Sequence, residues 1–264
     1  MWRGVTAIAV IACIVATLVY YDESPASESG DFLGSGSMFD RIATRYDLAN
    51  RFMSLGLDRG WRRHMVEALD VTSRDRVLDL ATGTADVAIL EGRRGARVLG
   101  VDPSERMLEV GRTKVAAEGL DVVLVAGDAT RLDTLEDNSF DKVSIAFGIR
   151  NIPDVPAALS EMARIAAPNA TLAILEFCEP EGGIFLAPIA RLFIRHVVPR
   201  LGALLSGAHW AEYRHLQTSI AKFPAPPRFA ELVADAGLEV VSISYLAFGS
   251  VALYVATKNQ QPVR

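Results

Sequence analysis

The chain has 264 residues, half of them apolar, which supplies one sizeable α/β domain and leaves no room for a second full one. With 27 basic side chains against 32 acidic ones, its net charge of −5 provides no basic face for wrapping nucleic acid. Two cysteines (Cys13 and Cys178) make no disulfide framework, and four scattered histidines (His64, His196, His209 and His215) lack metal-ligand spacing, so no metal is expected.

Gly4 to Tyr21 carries no charge and sits near the lower limit for crossing a hydrocarbon core roughly 30 Å thick. Residues 1–21 are expected to be an apolar anchor or a signal segment, the third reading being an untranslated extension ahead of Met38. Arg3 precedes the run and Asp22, Glu23, Glu28 and Asp31 follow it, a weak charge bias that would export the rest and leaves the orientation open. Ser, Gly and acidic residues dominate 22–37, which reads as a flexible linker. The folded domain is expected over 38–258, with 259–264 as a tail. Its first part, 38–70, is a helical preface whose apolar residues recur at helical intervals, broken at Gly56 and Gly60.

Strand-like runs follow at Arg76–Leu80, Val98–Val101, Val122–Val125, Val143–Phe147 and Thr171–Phe177, alternating with helical stretches such as Glu105–Glu118 and Val155–Ala166. Alternation of this kind predicts a parallel sheet covered on both faces. Glu239–Leu246 and Ser250–Thr257 are joined by only Ala247, Phe248 and Gly249, too few for a crossover helix, so they must pair as an antiparallel hairpin. The expected fold is therefore α/β and Rossmann-like, a seven-stranded and mostly parallel sheet with a terminal antiparallel hairpin. That order matches class I methyltransferases better than dinucleotide dehydrogenases.

In such a sheet a ligand lies beyond the carboxyl ends of the strands. The first strand runs into ATGTAD, giving Asp79, Ala81, Gly83 and Ala85 at alternate positions; only Gly83 is glycine, and a plain tight turn is the competing reading. The second strand ends at Asp102, 19 residues beyond Gly83, where a carboxylate can accept from ribose hydroxyls or else cap the next helix. The third ends in GDA, so that Asp128 can accept from an adenine amino group while the Ala129 amide donates to the ring. No basic residue stands in the first loop, which suits an uncharged-tail nucleoside better than a pyrophosphate.

FDRIATRYDLANRFMSLGLDRGWRR, VLDLATGTADVA, DNSFDKVSIAFGIRN, EYRHLQTSIAKFP and GSVALYVATK stand in this order along the chain. From Met38 to Lys258 the sequence resembles the menaquinone and ubiquinone biosynthesis C-methyltransferases, with FGIRN the most specific string. The resemblance implies S-adenosylmethionine as methyl donor, no metal, and a prenylated quinol as acceptor, demethylmenaquinol ahead of 2-methoxy-6-polyprenyl-1,4-benzoquinol. It puts Thr84, Asp102, Asp128 and Ala129 on cofactor-contacting positions. Two departures stand out: Ala85 replaces a common glycine, and AAPNA at Ala166–Ala170 replaces a K-P-G-G turn at a surface connection.

Methylating carbon needs a ring made electron-rich by loss of a hydroxyl proton, so the protein must supply alignment, a dry cavity and a group facing the phenolate. Arg150 is the candidate for that oxygen and Asn151 for orienting it, the structural alternative being that Arg150 pairs with Asp154 or Glu176. Tyr213 and His215, with Asp47 and Tyr46 behind them, are further candidates for handling protons or substrate. The apolar stretch within 179–223 reads as a lid for the prenyl tail, with Arg191, Arg195 and Arg200 meeting anionic headgroups, or as a helix packed on the sheet. A membrane surface is thus the expected partner and location, on the face that holds S-adenosylmethionine: the bacterial cytoplasmic face, or a mitochondrial inner membrane or plastid. A homodimer, a quinone-biosynthesis complex and a non-catalytic scaffold within one are the remaining alternatives.

Overall fold

Runs rich in Val, Leu and Ile make the central strands apolar on both sides, as burial between two helical layers requires. The computed structural model describes residues 56–179 and 219–259 together with Asp40, Asp47, Asn50, Arg51 and Ser54; Tyr46, Tyr213, His215, residues 1–37 and residues 180–218 lie outside them. The chain runs α1 (Asp58–Leu69), β1 (Arg76–Leu80), α2 (Asp86–Gly92), β2 (Arg97–Asp102), α3 (Glu105–Glu118), β3 (Val122–Ala126) and β4 (Phe140–Ala146). It continues through α4 (Val155–Ile165), β5 (Ala166–Phe177), α5 (Pro226–Asp235), β6 (Glu239–Leu246) and β7 (Val251–Thr257).

The seven strands lie in the order β3-β2-β1-β4-β5-β7-β6. The first five are parallel, β7 runs antiparallel to β5, and β6 antiparallel to β7, so the predicted mixed sheet and its end hairpin are both present. Because the chain leaves β1 toward β2 and later returns to its other side as β4, a crevice opens between those two directions. Alternation within each strand feeds two cores. Met65, Leu69, Ile89 and Leu108 of α1 to α3 pack with Val77 and Val98 on one face, and Leu159, Met162, Phe229 and Val233 of α4 and α5 pack with Leu78 and Ile145 on the other. Among the described residues no helix is long and apolar enough to cross a membrane.

Three expectations change. Gly56, at φ +76, ends the preceding turn as read, but Gly60 lies inside α1, where burial of Met65, Val66 and Leu69 outweighs the roughly 1 kcal/mol that an internal glycine costs. Phe147 leaves β4 with a φ of +58 and belongs to the loop. Ala166–Ala170 is counted within β5, yet Pro168 and Asn169 are exposed at a break in its register with β4, Asn169 being left-handed at φ +66 with its amide donating to Lys258 O at 2.8 Å.

Candidate active site

Beyond β1 the chain turns through three left-handed residues, Ala81 (φ +49), Gly83 (φ +55) and Ala85 (φ +66). For alanine that conformation costs about 1–2 kcal/mol, so the loop depends on its ties. Thr82 Oγ1 donates to Asp79 at 2.6 Å, and Ser144 Oγ of β4 donates to the other Asp79 oxygen at 2.9 Å. Asp79 is therefore buried beneath the loop and braces it. Gly83 N donates to Asp102 Oδ2 at 2.9 Å, while Asp102 Oδ1 accepts from Ser104 N at 2.9 Å. Capping α3 falls to Ser104, which accepts from Met107 N, leaving Asp102 free of the helix-capping alternative.

Burial raises Asp102 to about 6, against the pull of the Ser104 and Gly83 amides and with help from the Asp40 charge. Asp79 is likewise raised to about 6 by burial, against its hydroxyl partners. Next to it Glu91 of α2 is fully buried and raised well above the ordinary carboxyl range, by burial first and then by the Asp79 charge. Ser144 lies near enough to favour the charged form of Glu91, yet its hydroxyl is committed to Asp79, and neither Glu91 oxygen has a hydrogen-bond partner among the described residues. Glu91 is thus the member of a buried carboxyl pair that burial pushes furthest toward its neutral form.

The third loop joins the second directly, since Gly127 N donates to Asp102 O at 3.2 Å. Asp128 is exposed at its tip, with Oδ1 accepting from Thr130 N and Oγ1, both at 2.8 Å, and Ala129 is buried behind it. Gly83, Asp102 and Asp128 therefore meet at one rim of the sheet. Thr84 is held from outside: its hydroxyl donates to Asp47 at 2.6 Å and accepts from Lys114 Nζ at 3.1 Å. Lys114 also binds Asp47 at 2.9 Å and Asp86 at 2.6 Å. Burial alone would raise Asp86, but Lys114 overcomes it and holds the carboxyl below its usual value, with smaller help from Arg62 and Arg51.

On the other side of the crevice the FGIRN string leaves β4. A Cβ added to Gly148 would lie 2.5 Å from the Ala81 methyl, so this loop presses on the first one with only hydrogen between them. The Arg150 side chain is 7% exposed; its Nη1 donates to Glu176 Oε1 and to Phe147 O, both at 2.7 Å, and the backbone N to Glu176 Oε2 at 3.3 Å. Of the two foreseen partners Glu176 is the one found, and Asp154 caps α4 by accepting from Ala157 N at 2.9 Å. Burial raises Glu176 above its ordinary value even with Arg150 opposing. Arg150 Nε has no partner among the described residues. Its guanidinium lies 5.4 Å from the Phe177 ring, within an aromatic group where Phe147 and Phe177 stand 4.6 Å apart and Trp61 flanks both. Asn151 ends the short turn after Gly148, half-buried. A groove of about 550 Å³ walled by Arg76, Arg97, Asp121 and Phe140 lies at the opposite, amino-terminal end of the strands.

Sequence reasoning passed over Lys114, Asp40 and Asp86, whose partners are far away in the chain, and Arg62, whose pairing with Asp58 one turn back gives no sign of a site. It passed over Glu91 too, a charge in a helical stretch, which reads as solvated until the strand behind it is known.

Sheet order, end hairpin and a carboxylate at each exit of β1 to β3 define a class I methyltransferase. The fold is shared with S-adenosylmethionine-dependent methyltransferases of Thermotoga maritima (TM-score 0.59, 20% identity, 85% of this chain and 100% of that one) and Aquifex aeolicus (TM-score 0.59, 18% identity, 83% and 98%). More particularly, the chain belongs to the ubiE/COQ5 methyltransferase family, whose model matches residues 31–258. It is 42% identical to the demethylmenaquinone methyltransferase of Thermus thermophilus over 84% of this chain and all of that one. Identity is 43% to the protein of the same name from Deinococcus radiodurans, over 84% of this chain and 91% of that one. It is 38% to the ubiquinone/menaquinone biosynthesis C-methyltransferase UbiE of Geobacter sulfurreducens, over 84% and 87%.

Proposed function

We propose that this methyltransferase converts demethylmenaquinol to menaquinol by C-methylation of the quinol ring, at a membrane surface that supplies the prenylated substrate. The observation that carries the reading is the likeness, over 84% of the chain, to relatives that bear the name demethylmenaquinone methyltransferase. Methylation of a benzoquinol is the second reading, favoured by the double name of the Geobacter sulfurreducens relative.

The donor set fits S-adenosylmethionine: carboxylates and small residues at three strand ends, and no basic residue in the first loop to meet a phosphate. When bound, that molecule supplies an electrophilic methyl on a sulfonium. Asp102 keeps lone pairs beyond those used by Gly83 and Ser104 and accepts the ribose hydroxyls. Asp128 and the Ala129 amide take the adenine edge, and Gly83 and Thr84 shape the wall beside the methionine end. Asp79 acts through Thr82, fixing the loop. Arg150, held by Glu176, faces the ring oxygen that loses its proton and stabilises the phenolate, with Asn151 orienting it. In-line transfer of the methyl to the neighbouring carbon would break the sulfur–methyl bond and leave a neutral thioether, and the proton of that carbon would pass to solvent as the ring regains aromaticity. Tyr213 lies outside the described residues and keeps its candidacy from sequence alone.

Mass spectrometry of lipid quinones from cells lacking the protein tests this. The expected pool is lighter by one methylene, restored by the gene. An unchanged pool would end the quinol assignment.

A further inference from the structure

We infer that Arg62 is the cation that receives the methionyl carboxylate of the donor; the inference rests on S-adenosylmethionine being that donor.

At its amino-acid end the donor carries one negative and one positive group, and the rim described so far is rich in acceptors for the positive one. A carboxylate brought against Asp79, Asp86 and Asp102 would be repelled unless a cation stands with it. Of the other cations near the crevice, Lys114 has its hydrogen-bonding positions filled, Arg150 is tied to the ring side, and Arg51 is the rival that the test separates from Arg62. Lys114 Nζ is shared among Asp47, Thr84 and Asp86, a full set for an ammonium. Arg150 is committed to Glu176 and the Phe147 carbonyl on the ring side of the crevice. Arg51 is felt at Asp86 less than Arg62 is, and is not among the influences on Asp79.

Arg62 differs in each respect. It rises from the first turns of α1, is 7% exposed, and is anchored by one nitrogen only, Nη1 to Asp58 at 2.6 Å. Asp58 is itself steadied by the Ser54 hydroxyl at 2.8 Å. The guanidinium lies 5.2 Å from the Phe147 ring, the residue next to Gly148, where the two loops touch. Its charge is felt at both Asp79 and Asp86, the two ends of the first loop. Among the described residues Asp58 is its one hydrogen-bond acceptor, so the rest of the planar fork remains for a bidentate carboxylate. Lysine could not reproduce that fork.

The test compares two ligands by calorimetry on the full-length protein without acceptor: S-adenosylmethionine, and decarboxylated S-adenosylmethionine, which keeps the sulfonium and the amine. Arg62→Gln should weaken the first about 10- to 100-fold and the second by no more than about twofold. Since that change strands Asp58, the double variant Asp58→Asn/Arg62→Gln removes the pair together and should show the same selectivity. Equal losses for both ligands, or selectivity that appears in Arg51→Gln and not in Arg62→Gln, would overturn the assignment. Wild-type protein that binds neither ligand would instead overturn the donor itself, and the inference with it.

Discussion

The two sides of the crevice are built from different materials. Where β1, β2 and β3 end, backbone amides and carboxylates are tied to one another across loops, Gly83 to Asp102 and Gly127 to Asp102, so a polar lattice exists before anything binds. Where β4 and β5 end, there are instead three aromatic rings, a buried Arg150–Glu176 pair and one guanidinium nitrogen with no partner among the described residues. The first side suits a ligand dense in hydroxyls and charge; the second suits a flat ring with one polar edge. Polar rigidity on one side and apolar shape on the other fit the proposed reaction, in which one crevice holds two unlike molecules.

Breaking the second side should have the larger effect. Arg150→Ala leaves Glu176 buried without its cation and is expected to cost about 3–5 kcal/mol in chemical denaturation, besides abolishing turnover. Arg150→Met with Glu176→Gln should recover most of that stability and none of the turnover. Recovered turnover would remove Arg150 from the chemistry. On the first side Asp102→Asn keeps the shape and loses the charge, so affinity for S-adenosylmethionine should fall about 10-fold with stability little altered. Because Asp102 is raised to about 6, wild-type affinity should also decline as pH drops through that value, and the Asn variant should be flat over the same range. A sloping profile in the variant would assign the titration elsewhere.

The last effect touches neither ligand and concerns what lies beneath the lattice. Glu91 binds its proton more tightly folded than unfolded, so its stabilising share is full at pH values below the ordinary 4.5 and is lost as pH rises through the elevated folded value. Glu91→Gln should therefore match the wild type near pH 4 and exceed it by about 1–3 kcal/mol near pH 8 in thermal or denaturant unfolding. A variant less stable than wild type at pH 8 would show that Glu91 is ionised and paired.

Strands, hairpin and strand-end acids were legible because each depends on neighbours in sequence: alternation, the three-residue link of Ala247 to Gly249, a carboxylate closing an apolar run. Helix α3 even has the predicted bounds, set by the Ser104 cap and the left-handed Gly119. What could not be read depends on partners far along the chain. Asp47 meets Lys114 across 67 residues and Ser144 meets Asp79 across 65, distances at which no periodicity survives. Gly60 misled for a related reason, since a local helix breaker was outvoted by a core that only the tertiary fold assembles. Arg150 was found as a residue of interest, whereas the choice of Glu176 over Asp154 needed the register of β5 against β4.

The bare contact of Gly148 on Ala81 acts as a spacer of zero thickness. It sets how far apart the two reactants' beds can be, and no side chain is available there to absorb an error. In the proposed reaction the gap between sulfur and ring carbon would depend on this contact, and displacing reacting atoms by about 1 Å can slow a reaction on the order of 100-fold. Drift in either bed is passed undamped to the other.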